Sequence, residues 1–265
     1  MGMKTKKEDF GSMARTLAFL YGAISYLIFF VTFLYAIGFV GNLVVPKSID
    51  TGPTAATFTR GLIANVILLS IFALQHSIMA RPGFKRWWTK LVPTAIERST
   101  YVLLSSLALI LLFWQWRAMP DVVWNVSNEA GRLILMFFFF LGWGIVLMST
   151  FLINHFDLFG LRQVYMYQRG EEYKDLGFRT PVFYKLVRHP IMVGFIVAFW
   201  ATPTMTLGHL LFAVVTTAYI LVAIQFEERD LASHYGERYE VYRRQVSMLL
   251  PIPKRGAPGV EEKHP

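Results

Sequence analysis

Between Arg15 and Lys47 the chain carries no charged residue, and several later stretches repeat this pattern. A helix of about 20 apolar residues crosses the ~30 Å of hydrocarbon in a bilayer. Hydrocarbon offers no partner to an open backbone, so only helices and closed barrels cross it. The period-two alternation of barrel strands is missing here. The chain is therefore expected to be all-α, a polytopic transmembrane helical bundle forming one integral-membrane domain over 1–265. Composition agrees, because 55% of its 265 residues are hydrophobic and only 16% charged, against roughly 25% charged in soluble domains.

Four full spans are expected at about 14–40, 61–79, 99–116 and 131–153. A hairpin follows, with apolar limbs at 191–200 and 209–226 and a Thr202–Gly208 break between them. The first limb, Pro190 to Ala201, covers only ~18 Å at ~1.5 Å per residue, so five or six crossings are both open. After the hairpin, Leu231, Tyr235, Tyr239, Tyr242 and Val246 form one helical stripe opposite a charged face. That is an amphipathic helix suited to lie on a membrane face, and Gly236 inside it favours a bend. Residues 252–265 read as a tail, loose from Gly256 on.

The N-terminal Lys4, Lys6, Lys7 and Arg15 precede an apolar run too long for a signal-peptide core, so it reads as a first span. Lys and Arg concentrate in the N-terminus, the 80–98 loop, the 154–189 loop and the C-terminal segment. The 41–59 and 117–130 loops are nearly bare. Four spans plus a hairpin bring every basic segment to one side, which the positive-inside rule makes cytoplasmic, with both termini there. The net charge of +9 then belongs to loops facing anionic lipid, so the lipid bilayer is the expected partner and nucleic acid is not. With no cysteine in the chain, disulfides, thiolate metal sites and cysteine nucleophiles are excluded. No H-E-x-x-H or comparable His pair, no P-loop and no strand-borne G-x-G-x-x-G occur, so neither a metal nor a nucleotide fold is indicated.

The same topology gathers costly polar groups in one leaflet. His76 lies near the end of span two beside Gln75. Asn154, His155 and Asp157 end span four, with Gln163 beyond. Arg188, His189 and Pro190 open the hairpin, and Glu227 and Glu228 close it. A pocket at the cytoplasmic interface is expected, roofed by the 154–187 loop and the C-terminal helix. Each group also has a plainer reading: His76 as an interhelical hydrogen bonder, His155 and Asp157 as a helix end and turn, Arg188-His189-Pro190 as snorkelling charge before a helix. Carboxylates at a helix C-terminus oppose the dipole, which favours a function for Glu227 and Glu228. Three histidines near one leaflet also leave a haem-binding or structural membrane protein open.

Arg188-His189-Pro190 with Gly194, and Glu227-Glu228 with Leu231, Gly236, Tyr239 and Tyr242, resemble the isoprenylcysteine carboxyl methyltransferase-like superfamily of membrane methyltransferases. Met192 departs from it, since many relatives carry Tyr there. Gln75 to Arg86, Glu97 to Tyr101 and Asn154 to Gln163 resemble the nurim family, and within it the bacterial thiol S-methyltransferases. The resemblance spans most of the chain. It implies S-adenosylmethionine as cofactor, methanethiol as acceptor, dimethyl sulfide and S-adenosylhomocysteine as products, and a bacterial inner membrane. It makes 186–251 the cofactor-binding part, with Arg188, His189, Pro190, Gly194, Glu227, Glu228, Tyr239 and Arg243 as cofactor contacts. Gln75, Asn154 and Gln163 are expected on the acceptor side, and His155 or His76, oriented by Asp157, as the base. Another small thiol, an isoprenoid or a lipid acceptor stays open, as does the oligomeric state.

Overall fold

In the computed structural model, residues 2–252 are described; of the expected tail, 253–265 lie outside them. The described residues run α1 (Gly2–Gly41), α2 (Phe58–Ala80), α3 (Pro82–Trp88), α4 (Thr94–Gln115), β1 (Val122–Asn125), α5 (Glu129–Ile153), α6 (His155–Leu158), α7 (Leu161–Arg169), α8 (Phe183–Leu186), α9 (Pro190–Trp200), β2 (Thr204–Thr206), α10 (Leu207–Tyr235) and α11 (Glu237–Gln245). Five helices are long and apolar enough to cross a membrane: Gly11–Gly41 within α1, then α2, α4, α5 and α10. The protein is a multi-pass helical membrane protein, as expected. Its lipid-facing girdle is apolar, with Leu17, Ile24, Ile67, Leu74, Phe137 and Phe140 all exposed.

The helices close into a ring. α1 packs on α4, α4 on α2, α2 on α10, α10 on α9 and α9 on α5. The ring of Phe33 meets Trp143 edge-on and returns from α1 to α5. α5 and α9 approach most closely, because Gly142 faces Gly194. A Cβ on Gly194 would stand 2.6 Å from the Gly142 carbonyl, so two glycines let the backbones meet. The eleven residues of α9 give about 16 Å, roughly half the hydrocarbon thickness.

The two ends of the ring differ. At the end opposite the basic loops, Phe39, Phe113, Trp116, Phe139, Phe199 and Phe212 fill the interior. That end is sealed by polar ties: Trp116 Nε1 donates to the Ile49 carbonyl at 3.0 Å, and His209 Nε2 meets the Phe199 carbonyl at 2.9 Å. A two-stranded antiparallel ribbon of β1 and β2, which hydropathy does not announce, covers it. Thr206 caps α10 by accepting from His209 N at 3.1 Å. Thr202, Thr204 and His209 thus serve the hairpin turn.

At the basic end, two points depart from the sequence reading. The 154–187 connection contains α7, a helix held between Gly160 and Gly170, both at positive φ. It lies across α1, where its buried Val164 sits against Gly22. The hairpin limb expected to stop at Phe226 runs on through Glu227 and Glu228 to Tyr235, since no breaker occurs before Gly236. There the backbone turns at φ +56 and ψ −133, and the amphipathic stripe continues on α11. Phe178 packs against Tyr235, Tyr239 and Tyr242 of that stripe.

Candidate active site

Position in the fold explains why the paired carboxylates differ. Consecutive helical residues point about 100° apart, so only one of Glu227 and Glu228 can face α9. It is Glu228, whose side chain is 9% exposed against 45% for Glu227. Arg188 donates to Glu228 Oε1 through Nε at 2.7 Å and Nη2 at 2.6 Å. His189 Nε2 lies 3.0 Å from the same oxygen. The remaining Arg188 nitrogen, Nη1, donates to the carbonyls of Arg243 at 3.1 Å and Val246 at 2.5 Å. Those are the carbonyls left over at the C-terminus of α11. Backbone bonds from Arg188 to Ser247 and from His189 to Met248 continue the join. The arrangement is a clasp: α9, α10 and α11 meet on one buried guanidinium.

Tyr239 is buried beside this clasp, and burial raises its phenol pKa, as it does those of Tyr184 and Tyr242. All three stay protonated donors; Tyr242 donates to the Tyr184 carbonyl at 2.6 Å. The Tyr184 hydroxyl is buried without a protein partner. Pro190 sits buried at the first position of α9. Arg243 pairs with Glu240 at 2.9 Å.

A second cluster lies where α2 meets α4 and α10. Tyr101 places its hydroxyl 3.0 Å from both ring nitrogens of His76. Ser105 Oγ is 3.2 Å from His76 Nδ1, and Phe72 stacks on the imidazole. One residue on, Ser77 meets the Tyr219 hydroxyl of α10 at 3.1 Å. Gln75 Nε2 turns to Met79, and its Oε1 is buried without a partner. Glu227 touches the first cluster and lies within electrostatic range of tyrosines in the second. Its Oε2 is 3.6 Å from His189 Nδ1, and it acts electrostatically on Tyr101, Tyr219, Tyr184 and Tyr239.

His155 stands elsewhere. Its Nε2 meets the Tyr26 hydroxyl and its Nδ1 the Thr150 hydroxyl, each at 2.8 Å. Phe151 stacks on it and Phe159 crosses it. Burial holds its pKa below the ordinary histidine value, so it is a neutral imidazole at pH 7. Asp157 does not orient it: that carboxylate takes Arg162 at 2.9 Å and Tyr173 at 3.2 Å. Asn154 caps α6 by accepting from Asp157 N, and Gln163 Nε2 donates to the Asp157 carbonyl at 3.2 Å. So the structure sets His76 among Tyr101, Ser105 and Phe72, joins Arg188 and His189 to Glu228 in the clasp, and puts His155, Asp157, Asn154 and Gln163 in a separate α1–α5–α7 network. Tyr101, Tyr219 and Tyr184 are the residues that reasoning by motif passed over. For Tyr101 and Tyr219 the available signal was a tyrosine hydroxyl inside an apolar span, which needs a partner; Tyr184 lies in the short α8 and gave no such signal.

These residues suit a sulfonium cofactor bearing an amino acid and a nucleoside. Glu227 offers a half-exposed carboxylate, and Tyr184 and Gln75 offer buried polar atoms that nothing in the protein satisfies. Phe178 and the three tyrosines of the stripe supply aromatic surface. A groove of about 800 Å³ runs along the outside of this roof, between Phe178–Lys185 and α11.

Fold and site together define a multi-pass helical membrane protein with a polar, carboxylate-bearing mouth at one end of its ring. The chain belongs to the NnrU protein family, whose model matches residues 65–246. It is 61% identical over 243 residues, 92% of this chain and 99% of the relative, to "Methanethiol S-methyltransferase" of Mycobacterium tuberculosis. It is 49% identical over 249 residues to the protein of the same name from Pseudomonas deceptionensis, covering 94% of each chain. "Nurim" of Danio rerio is 28% identical over 207 residues, covering 71% of this chain and 72% of that protein. The resemblance read from the motifs is thus borne out. No solved structure matches the chain.

Proposed function

We propose that the chain is a membrane S-methyltransferase that moves the methyl group of S-adenosylmethionine to methanethiol, giving dimethyl sulfide, at the cytoplasmic face of a bacterial inner membrane with both termini inside. The observation that carries this reading is the likeness, over nine-tenths of the chain, to relatives named for that activity. The placement of basic loops supports the orientation, and the polar mouth supports the site.

When bound, the cofactor supplies an electrophilic methyl on a sulfonium. The chain's own residues then have three tasks. Glu227 and Tyr184 offer the acceptor and donor for the nucleoside and ammonium groups. Arg188, Glu228, His189 and Gly194 set the frame, holding α9 against α5 and α11 over the mouth. His76, held by Tyr101 and Ser105, takes the thiol proton. A thiol such as cysteine, with pKa ~8.5, is mostly protonated at pH 7, so a neutral imidazole within reach is useful. His76 is preferred to His155 because its partner Tyr101 lies within electrostatic range of Glu227 at the mouth, whereas His155 sits with Tyr26 and Thr150 in the separate α1–α5–α7 network. A methanethiol-sized acceptor partitions into hydrocarbon and reaches such a site from the membrane.

Calorimetric titration of S-adenosylmethionine into the detergent-solubilised protein tests the cofactor assignment. Saturable one-site binding is expected, and no heat at millimolar cofactor would overturn it. His76→Asn is expected to lower kcat by roughly 10²- to 10⁴-fold near neutral pH. An unchanged pH–rate profile would remove the base role.

A further inference from the structure

The groove on the outside of the roof serves none of the roles given to the mouth. One wall is the stretch from Phe178 to Lys185 and the other is α11, and between them lie about 800 Å³, within the range of small-molecule sites. The walls are pinned to each other. Tyr242 of α11 donates to the Tyr184 carbonyl at 2.6 Å, and its ring packs against Phe178. The lining carries three cations, Arg179, Lys185 and Arg238, and no carboxylate. Arg238 lies over the Phe178 ring, 5.7 Å from its centroid, so that guanidinium is laid along the wall. Carboxylates nearby in sequence are engaged by other groups: Glu240 by Arg243 at 2.9 Å and Asp175 by His234 at 3.9 Å. The groove therefore calls for an anion.

Its place in the fold says which anion. Lys185 stands a few residues before Pro190, where the apolar helix α9 begins. Beyond each wall the chain joins the other, through the bridge between Val187 and Ser247 and the bond from Arg188 N to the Ser247 carbonyl at 2.9 Å. Around that join, Val182, Leu186, Leu250 and Ile252 are each more than half exposed. A cationic groove with an exposed apolar margin, at the end of the spans, matches an anionic headgroup that carries acyl chains. A free anion would leave the apolar margin in water.

We propose that this groove is the seat of one anionic glycerophospholipid from the leaflet at the basic end. Its phosphate sits among Arg179, Lys185 and Arg238, and its acyl chains leave over Val182 and Leu186. The lipid ties the Phe178–Lys185 stretch to α11 and so steadies the roof over the mouth, whatever reaction the mouth performs.

Dioleoylphosphatidylglycerol or dioleoylphosphatidylcholine is titrated into the full-length protein in detergent. Native mass spectrometry counts bound lipid, and thermal melting reads the stabilisation. One phosphatidylglycerol should bind and raise the melting temperature, and phosphatidylcholine should do neither. Arg179→Gln and Arg238→Gln should each weaken that binding roughly fivefold, and the double variant more than either. Arg86→Gln removes an exposed cation of α3 at the same end and should leave binding within about twofold, because the attraction falls off within a Debye length. Melting without lipid shows that each variant folds; should Arg238→Gln fail to fold, Arg179→Gln and Lys185→Gln carry the comparison. An equal loss in Arg86→Gln overturns the seat in favour of diffuse attraction, and equal binding of phosphatidylcholine overturns the role of the cations. Equal stabilisation by inorganic phosphate at the same concentration would assign the groove to a free anion. Displacement of the lipid by S-adenosylhomocysteine would give the groove to the cofactor and likewise overturn the proposal.

Discussion

At Arg188 a buried guanidinium is matched donor by donor, and this decides what the residue does. The motif shows a charge at a membrane boundary; only the fold shows that its partners are Glu228 and the end of α11. Removing one member of such a buried pair leaves the other uncompensated, at about 3–5 kcal/mol. Glu228→Gln should therefore lower the stability measured by thermal melting in detergent markedly, whereas Glu227→Gln, half exposed, should change it by no more than about 0.5 kcal/mol. Similar losses for both would refute the division between the two carboxylates. His155 offers a second test. Its folded pKa lies below the ordinary 6.5, so the unfolded chain takes up the proton first as pH falls. The stabilisation is whole above about pH 6.5 and declines below it, by at most ~1.4 kcal/mol per pH unit for one proton. Melting followed from pH 7.5 to 5 should show that decline, and His155→Phe should flatten it. An unaltered slope would mean other groups carry it.

At the scale of the element, the long spans were legible because hydropathy is a local property: α2, α4 and α5 fall within a few residues of expectation. What was not legible is what depends on partners. α7 is nine residues long, too short for its periodicity to stand out from a polar loop, and its apolar face has meaning only against α1. The ribbon of β1 and β2 pairs segments some 80 residues apart. The extension of α10 through Glu227 and Glu228 was misjudged because charge was read as a helix stop, while the conformational stop is Gly236. Gly194 is expected from the resemblance as a cofactor contact, and in the fold it faces Gly142 of α5. Gly194→Ala should cost roughly 1–3 kcal/mol by overpacking and should loosen the clasp that α9 carries. Unchanged thermal melting would contradict the tight α5–α9 seam that a 2.6 Å approach of the added Cβ to the Gly142 carbonyl implies.

For the whole molecule, the ring has one end packed with aromatic residues and one end lined with hydroxyls, imidazoles and carboxylates. The basic loops foretold that the polar groups would share an end, and they did so from Lys and Arg placement alone. They did not foretell that the groups divide into two networks, one around Glu227 and one around His155, because topology assigns residues to an end and not to a face. A ring closed by apolar seams also suits a small acceptor arriving through lipid, and the acceptor series separates size classes. Turnover should fall steadily from methanethiol through ethanethiol to longer alkyl thiols; a preference for the longer chains would point to an isoprenoid-sized or lipid acceptor.

The central claim is methyl transfer between two small molecules at this mouth. The most direct measurement incubates the purified protein in detergent with methyl-labelled S-adenosylmethionine and methanethiol. Label in headspace dimethyl sulfide and S-adenosylhomocysteine in solution are then quantified together. The two products should appear in equal amounts, only with thiol present, and should fall sharply in His76→Asn. Label that never reaches the headspace, with no S-adenosylhomocysteine formed, would contradict the claim.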